Sequence, residues 1–285
     1  MRTIFFLIPL IFFPFLNDIW VLPKATIFWF SIPLFIYRGR FLFKKEEIPV
    51  YLWIFLFFVY TIFSPSKILS FFGNYRYYFH GFLSTFSGFC IFLLVKEMNL
   101  QKTKKIFNYF LLSLGISSIL GFVFQYPQRI SATFGNPNFF GGVLSMTIPF
   151  VFYLSLSERR YIAFSFIFLL SLFFTLSRAS WVGTFAGILS LFVFLKNKKV
   201  LKIFLVASLI LAFFILIFSF SNFQEILKRF LSIFNLKEAD IVSRFEGYLA
   251  SIEILKKHPV FGKGPETFLL FFRAYAPVSF VRKTG

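Results

Sequence analysis

The chain reads as an all-α protein, a polytopic transmembrane helical bundle. Three features lead there: apolar richness, the recurrence of apolar runs, and positive charge that alternates between them. Of 285 residues, 58% are hydrophobic and 52 are Phe, and mean hydropathy is +0.80, far above the apolar share of a soluble domain. Charged residues make up only 14%, yet Lys and Arg outnumber Asp and Glu 30 to 11. A formal charge of +19 invites nucleic acid, but the cations stand in short clusters between apolar runs, without a basic stripe beside aromatic platforms, so no nucleic-acid partner is expected.

Apolar runs fall at roughly 3 to 16, 19 to 37, 49 to 63, 80 to 95, 106 to 124, 139 to 156, 161 to 176, 180 to 195 and 201 to 220. They predict about nine transmembrane helices. A bilayer core of ~30 Å asks for ~20 helical residues, so the shorter runs must recruit flanking Ser, Tyr and Trp or lie in thinned bilayer. Residues 1–220 then form the transmembrane domain and 221–285 a long periplasmic segment.

Orientation follows from the connections. Arg2, the group Arg38, Arg40, Lys44 and Lys45, the group Lys96, Lys102, Lys104 and Lys105, the pair Arg159 and Arg160, and the group Lys196, Lys198, Lys199 and Lys202 hold fifteen basic residues. The alternate short connections hold only Lys24, Lys67, Arg76, Arg129 and Arg178. The basic set faces the cytoplasm by the positive-inside rule, which puts the N-terminus inside and the segment after Ser221 outside, where long loops escape that bias. The first run is not a secretory signal, because no small-x-small cleavage pattern follows it and Asn17, Asp18 and Trp20 read as an interfacial turn before the second helix. Cys90, the single cysteine, precludes an intramolecular disulfide.

Three outward connections contain residues that lipid packing does not explain. In Gln128 to Gly142, Gly135 and Asn136-Pro137-Asn138 break helix, Asn138 is a good N-cap, and Arg129 stands beside a polar re-entry turn; an ordinary capped turn is the competing reading. In Thr175 to Trp181 the hairpin is so tight that Arg178 lies at or just below the interface. There it costs ~2 kcal/mol or more unless it snorkels or meets an anion. Ala179, Gly183 and Gly187 follow at four-residue spacing, a pattern for close helix packing. The third connection is the long outer segment. Phe223, Ile226, Leu227, Phe230, Leu231 and Phe234 predict an amphipathic helix on the membrane, with Ser221 and Gln224 as a capping box. Ser243 with Glu246 makes a second capping box, opening a helix with an apolar face of Phe245, Tyr248, Leu249, Ile252 and Leu255 that stops before Pro259. Arg244 would fall in its first turn, where a cation opposes the helix dipole, a hint of an expected anion against the commoner solvated arginine.

Phe261 to Pro265 form a glycine turn, more often a plain loop than an anion cradle. His80 and His258 lack partners at metal-ligand spacing, so no metal site is assigned and no cofactor is expected. Nor do the transmembrane runs hold an acidic residue away from their interfaces, as a proton-coupled transporter usually requires.

Taken together, the stretches Arg129 to Pro149 (RISATFGNPNFFGGVLSMTIP), Leu176 to Trp181 (LSRASW) and Ser243 to Pro277, with the SFFGNYRYYFHG connection, resemble the O-antigen ligase family of membrane glycosyltransferases. Their order and their spacing between apolar runs are similar to that family along essentially the whole chain. The resemblance implies an inner-membrane enzyme that takes a glycan from an undecaprenyl diphosphate carrier at the periplasmic face. It passes the glycan to an acceptor, either lipid A-core or a growing polysaccharide, without nucleotide sugar or metal. Carried over by motif, Arg129, Arg178 and Arg244 are the diphosphate-binding arginines, with Asn136 and Asn138 shaping the turn. Arginine suits that work because it stays charged and grips phosphate oxygens in bidentate fashion.

The family also presents a histidine in a His-Asn stretch beyond the glycine turn to activate the acceptor hydroxyl. No position here matches it. His258 belongs to the helix-Pro-Val-Phe-Gly motif, so the catalytic base is unassigned and the outer segment reads as truncated. The competing expectations are a polymerase that extends the glycan on its carrier, a lipid-linked glycan transporter with polar residues between the leaflets, and an inactive carrier-binding remnant.

Overall fold

The computed structural model describes residues 2–16, 18–38, 44–74, 78–126, 128–195, 239–259 and 262–275. The ninth apolar run, the stripe from Phe223 to Phe234 and the Ser221–Gln224 box lie outside them. Among the described residues the architecture is all-helical, with three helices long and apolar enough to cross a membrane. The chain divides into two compact units, residues 1–12 with 105–235, and residues 13–104 with 236–285.

The first unit contains α1 (Arg2–Leu10), most of α6 (Leu100–Gln125), α7 (Pro137–Ser155), α8 (Arg160–Phe174) and α9 (Arg178–Leu195). Helices α6, α7 and α9 are the three candidate spans, and α8 is a shorter apolar helix. The first predicted run is helical only over nine residues, about 14 Å at 1.5 Å per residue, short of a bilayer core. Helix α7 is the central piece, because Phe140, Leu144, Ile148 and Val151 repeat at helical spacing and are fully buried against α8 and α9.

Small residues set how closely α7 and α9 approach. A Cβ on Gly141 would come within 2.6 Å of Ser180 Oγ, and one on Gly187 within 2.7 Å of Pro149 Cγ, while Gly183 faces Ser145 at 3.8 Å. The expected packing role is therefore met at Gly187, whereas Ala179 and Gly183 are exposed. The pairs 141 with 180, 145 with 183 and 149 with 187 rise together, so α7 and α9 run parallel and their N-termini lie at the same end. The connection between α7 and α8, with Arg159 and Arg160, lies at the other end, as the charge alternation requires. Several polar side chains inside these helices bond within the helix: Ser118 Oγ donates to the Leu114 carbonyl, Thr147 Oγ1 to Val143 and Thr184 Oγ1 to Ser180. Apolar surroundings demand such satisfaction.

The second unit contains α2 (Val21–Arg38), α3 (Ile48–Ile62), α4 (Lys67–Phe72), α5 (Phe82–Lys96), α10 (Ala239–Lys257) and α11 (Phe268–Tyr275). Asp18 Oδ1 accepts from the backbone amides of Trp20 and Val21 at 3.2 and 2.9 Å, which makes the expected turn before α2 a helix cap. Helices α2, α3 and α4 pack on α5. The Phe82 ring meets those of Phe57, Phe58, Phe71 and Phe86, and Trp29 Nε1 donates to Ser84 Oγ at 2.8 Å.

Helix α10 corrects two expectations. It already includes Ala239, so Ser243 lies a turn inside it and is not its N-cap, and Arg244 is an exposed residue beyond the first turn. The argument from an opposing helix dipole therefore does not apply to Arg244, because that effect fades within the first turn. The stripe of Phe245, Tyr248, Leu249, Ile252 and Leu255 is exposed, and α10 packs instead through Glu246, Ala250 and Ile254.

Candidate functional site

Two polar turns meet at the shared end of α7 and α9. The turn after α6 is shaped by Gln125, whose Oε1 accepts from the amides of Ser131 and Ala132 at 2.7 and 2.9 Å while Nε2 donates to the Ala132 carbonyl at 2.9 Å. Ala132 is bent to φ 49° and Gly135 to φ 69°, left-handed values that a non-glycine residue holds only when its neighbours enforce them. Thr133 supplies more of that enforcement, since its hydroxyl lies 2.6 Å from Ser117 Oγ and also donates to the Pro9 carbonyl of α1.

Asn136 caps α7. Its backbone is extended at φ −141° and ψ 125°, its Oδ1 accepts from Asn138 N at 2.8 Å, and Pro137 occupies the first helical position. The cap expected at Asn138 is therefore one position pair earlier. A residue before proline is pushed to extended backbone, which is the conformation a cap needs. Asn138 has a different contact, accepting from Arg129 Nη2 at 3.3 Å.

Arg129 joins this turn to the hairpin between α8 and α9. Its Nε donates to the Thr175 carbonyl at 3.0 Å, and the next residue, Ile130, donates its amide to the Phe174 carbonyl at 3.0 Å. The hairpin is itself constrained: Leu176 has φ 52°, the Ser177 amide donates to Thr175 Oγ1 at 3.2 Å, and Ser177 Oγ lies 2.9 Å from Ser180 Oγ. Trp181 stacks on Phe173 with centroids 5.3 Å apart and donates Nε1 to the Leu172 carbonyl. Arg178, half-buried, is the first residue of α9. A cation at a helix N-terminus opposes the dipole, so the property expected of Arg244 belongs to Arg178.

The structure thus brings Arg129, Asn136, Asn138 and the Arg178 hairpin to one end of one unit. Arg244 belongs to the other unit. Positive helix ends, held guanidinium and amide groups make the α7–α9 end suited to an anion such as a phosphate.

One pair escaped the sequence. In the second unit His80 Nδ1 lies 3.1 Å from Glu266 Oε1, with the imidazole 61% and the carboxylate 17% exposed. The hydrogen bond raises the His80 pKa above its ordinary value. A separation of 186 positions conceals the pair, although both fall in stretches that carry the family resemblance. Among the described residues no group of three or more His, Cys, Asp and Glu gathers as a metal site.

Residues 163–283 match the family model described as O-antigen ligase. The matched segment holds Arg178, Arg244 and Glu266, while Arg129, Asn136, Asn138 and His80 precede it. No curated protein and no solved structure matches the chain.

Proposed function

We propose, from the premise that residues 163–283 match the O-antigen ligase family, that this membrane protein transfers a glycan from an undecaprenyl diphosphate carrier to an acceptor hydroxyl at the periplasmic face. Arg129 carries the proposal furthest, because its bonds to Thr175 and Asn138 hold a guanidinium against the hairpin that starts α9 with Arg178. The carrier's diphosphate lodges between these arginines and the N-termini of α7 and α9. As the acceptor oxygen bonds to the anomeric carbon, the carbon–oxygen bond to the diphosphate breaks and negative charge grows on the leaving group. Fixed cations that meet this charge lower the barrier. By the family motif Arg244, in the other unit, is assigned to diphosphate as well, Asn136 and Asn138 hold the turn, and lipid A-core or a lengthening polysaccharide is the acceptor.

In this reading about nine helices cross the inner membrane with the N-terminus in the cytoplasm, and α10 lays its exposed apolar stripe on the outer leaflet. Binding of an undecaprenyl diphosphate glycan to the full chain in nanodiscs tests the site. Arg178→Lys keeps the charge but loses the bidentate fork, so affinity falls about ten- to a hundredfold. Unchanged binding in both Arg178→Lys and Arg178→Ala would show that Arg178 only snorkels and would end the assignment.

A further inference from the structure

The turn that holds Arg129 runs down the side of α6 rather than over its end. Gln125 bonds Ser131 and Ala132, a Cβ on Gly121 would come within 2.6 Å of Ile130 and 3.2 Å of Ala132, and Ser117 meets Thr133. From Gln125 back to Ser117 the helix descends by roughly 12 Å at 1.5 Å per residue, so residues 128 to 133 re-enter the first unit. Ile130, Ala132 and Thr133 are 0, 3 and 4% exposed. Irregular backbone at such depth is stable only when its polar groups find partners in the protein. Gln125 gives both ends of its amide to this need, Oε1 to the amides of Ser131 and Ala132 and Nε2 to the Ala132 carbonyl. Thr133 has one hydroxyl proton and donates it to the Pro9 carbonyl, in the last turn of α1, where helix carbonyls lack partners of their own. The Ser117 hydroxyl therefore donates to Thr133 Oγ1 at 2.6 Å, while Ser117 Oγ accepts from the Thr133 amide at 3.4 Å. Beyond this anchor the Ile130 amide bonds the Phe174 carbonyl and Arg129 Nε the Thr175 carbonyl. A continuous set of contacts thus leads from α1 and α6 to the guanidinium, all within the first unit.

We propose that Gln125 and Thr133 are positioning residues of the donor site, with α1 as the support that Thr133 rests on. They set where the Arg129 guanidinium meets the carrier's diphosphate, so the proposal rests on the reading of this end as the diphosphate site. Both act through Arg129 and add no charge of their own. Without the Gln125 amide, two backbone donors and one acceptor lose their partner, and a buried polar group left unpaired drives its segment toward water. The turn would then rise from α6 and take Arg129 off the Thr175 carbonyl. Loss of the Thr133 hydroxyl releases the same turn from its lower end, where it is tied to Pro9 and Ser117.

The test measures binding of an undecaprenyl diphosphate glycan to the full chain in nanodiscs, beside thermal unfolding of each variant. Arg129→Ala should weaken binding about ten- to a hundredfold, as loss of a charge-assisted contact implies, and Gln125→Ala by roughly tenfold. Added to Arg129→Ala, the Gln125→Ala change should alter affinity by no more than about twofold, because a residue that works through Arg129 has nothing left to place. Thr133→Val keeps the shape of the side chain without its hydroxyl and should weaken binding, and Thr133→Ser should restore most of it. If Gln125→Ala does not fold, the two Thr133 variants, with and without Arg129→Ala, decide the matter. Wild-type affinity in folded Gln125→Ala and Thr133→Val would overturn the positioning role and leave the diphosphate site standing. So would losses that multiply with that of Arg129→Ala, or equal losses in Thr133→Val and Thr133→Ser. Wild-type affinity in both Arg129→Ala and Arg178→Ala would overturn the site itself and the positioning role with it.

Discussion

Gly141 and Gly142 are neighbours on α7 with opposite surroundings. A Cβ on Gly141 meets Ser180 Oγ at 2.6 Å and Thr175 Oγ1 at 3.2 Å, whereas one on Gly142 meets nothing within 4 Å. Gly141→Ala should therefore force α7 from α9 at a cost of about 1–3 kcal/mol. Gly142→Ala should be neutral or stabilise by up to ~1 kcal/mol through helix propensity. Thermal unfolding in detergent compares them, and equal midpoints would contradict the close approach. Loss of donor affinity should accompany Gly141→Ala alone, since Thr175 also accepts from Arg129. The two arginines of this end were readable in the sequence because charge is conspicuous in lipid. The cap expected at Asn138 falls instead at Asn136, because the residue before Pro137 is pushed to extended backbone, a rule that outranks cap preference here. Gln125 was not readable, since a glutamine at a helix end gives no sign that it will bond a loop six and seven residues ahead.

Helix α10 shows what periodicity does and does not reveal. The apolar stripe from Phe245 to Leu255 was evident from spacing, but spacing cannot tell whether such a stripe meets protein or lipid. Its exposure, opposite the packed Ala250 and Ile254, assigns it to the surface. With Cys90 replaced by Ala, Ile252→Cys should resist a water-soluble maleimide in nanodiscs and react after transfer to a weakly binding detergent, while Glu253→Cys should react in both. Equal labelling of the two in nanodiscs would remove α10 from the membrane surface. Helix ends were less legible than the faces. Ser243 looked like a start, but the helix already includes Ala239.

Charge alternation along the whole chain and the parallel course of α7 and α9 agree on a single point: Arg129 and Arg178 share a side, opposite Arg159 and Arg160. Alkaline phosphatase fused after Lys263 should be active, and a cytoplasm-dependent reporter should be active after Lys102; an inactive phosphatase fusion would place Arg244 on the wrong side for a periplasmic reaction. Three of the predicted crossings, α6, α7 and α9, were legible because a span imposes length and apolarity on a helix, whereas the nine residues of α1 fall short. The division into two units was not legible, since residues 13–104 join with 236–285 across an intervening bundle. That return has a consequence in time. Ser70 and Pro265 are 195 positions apart, so the first part of the second unit is made long before the segment that closes on it. Helices α5 to α10 are made in that interval, so the turn at 262–267 can close on Ser64 to Ser70 only after them. The second unit is therefore completed last, and a half-made chain lacks the contact that anchors this turn.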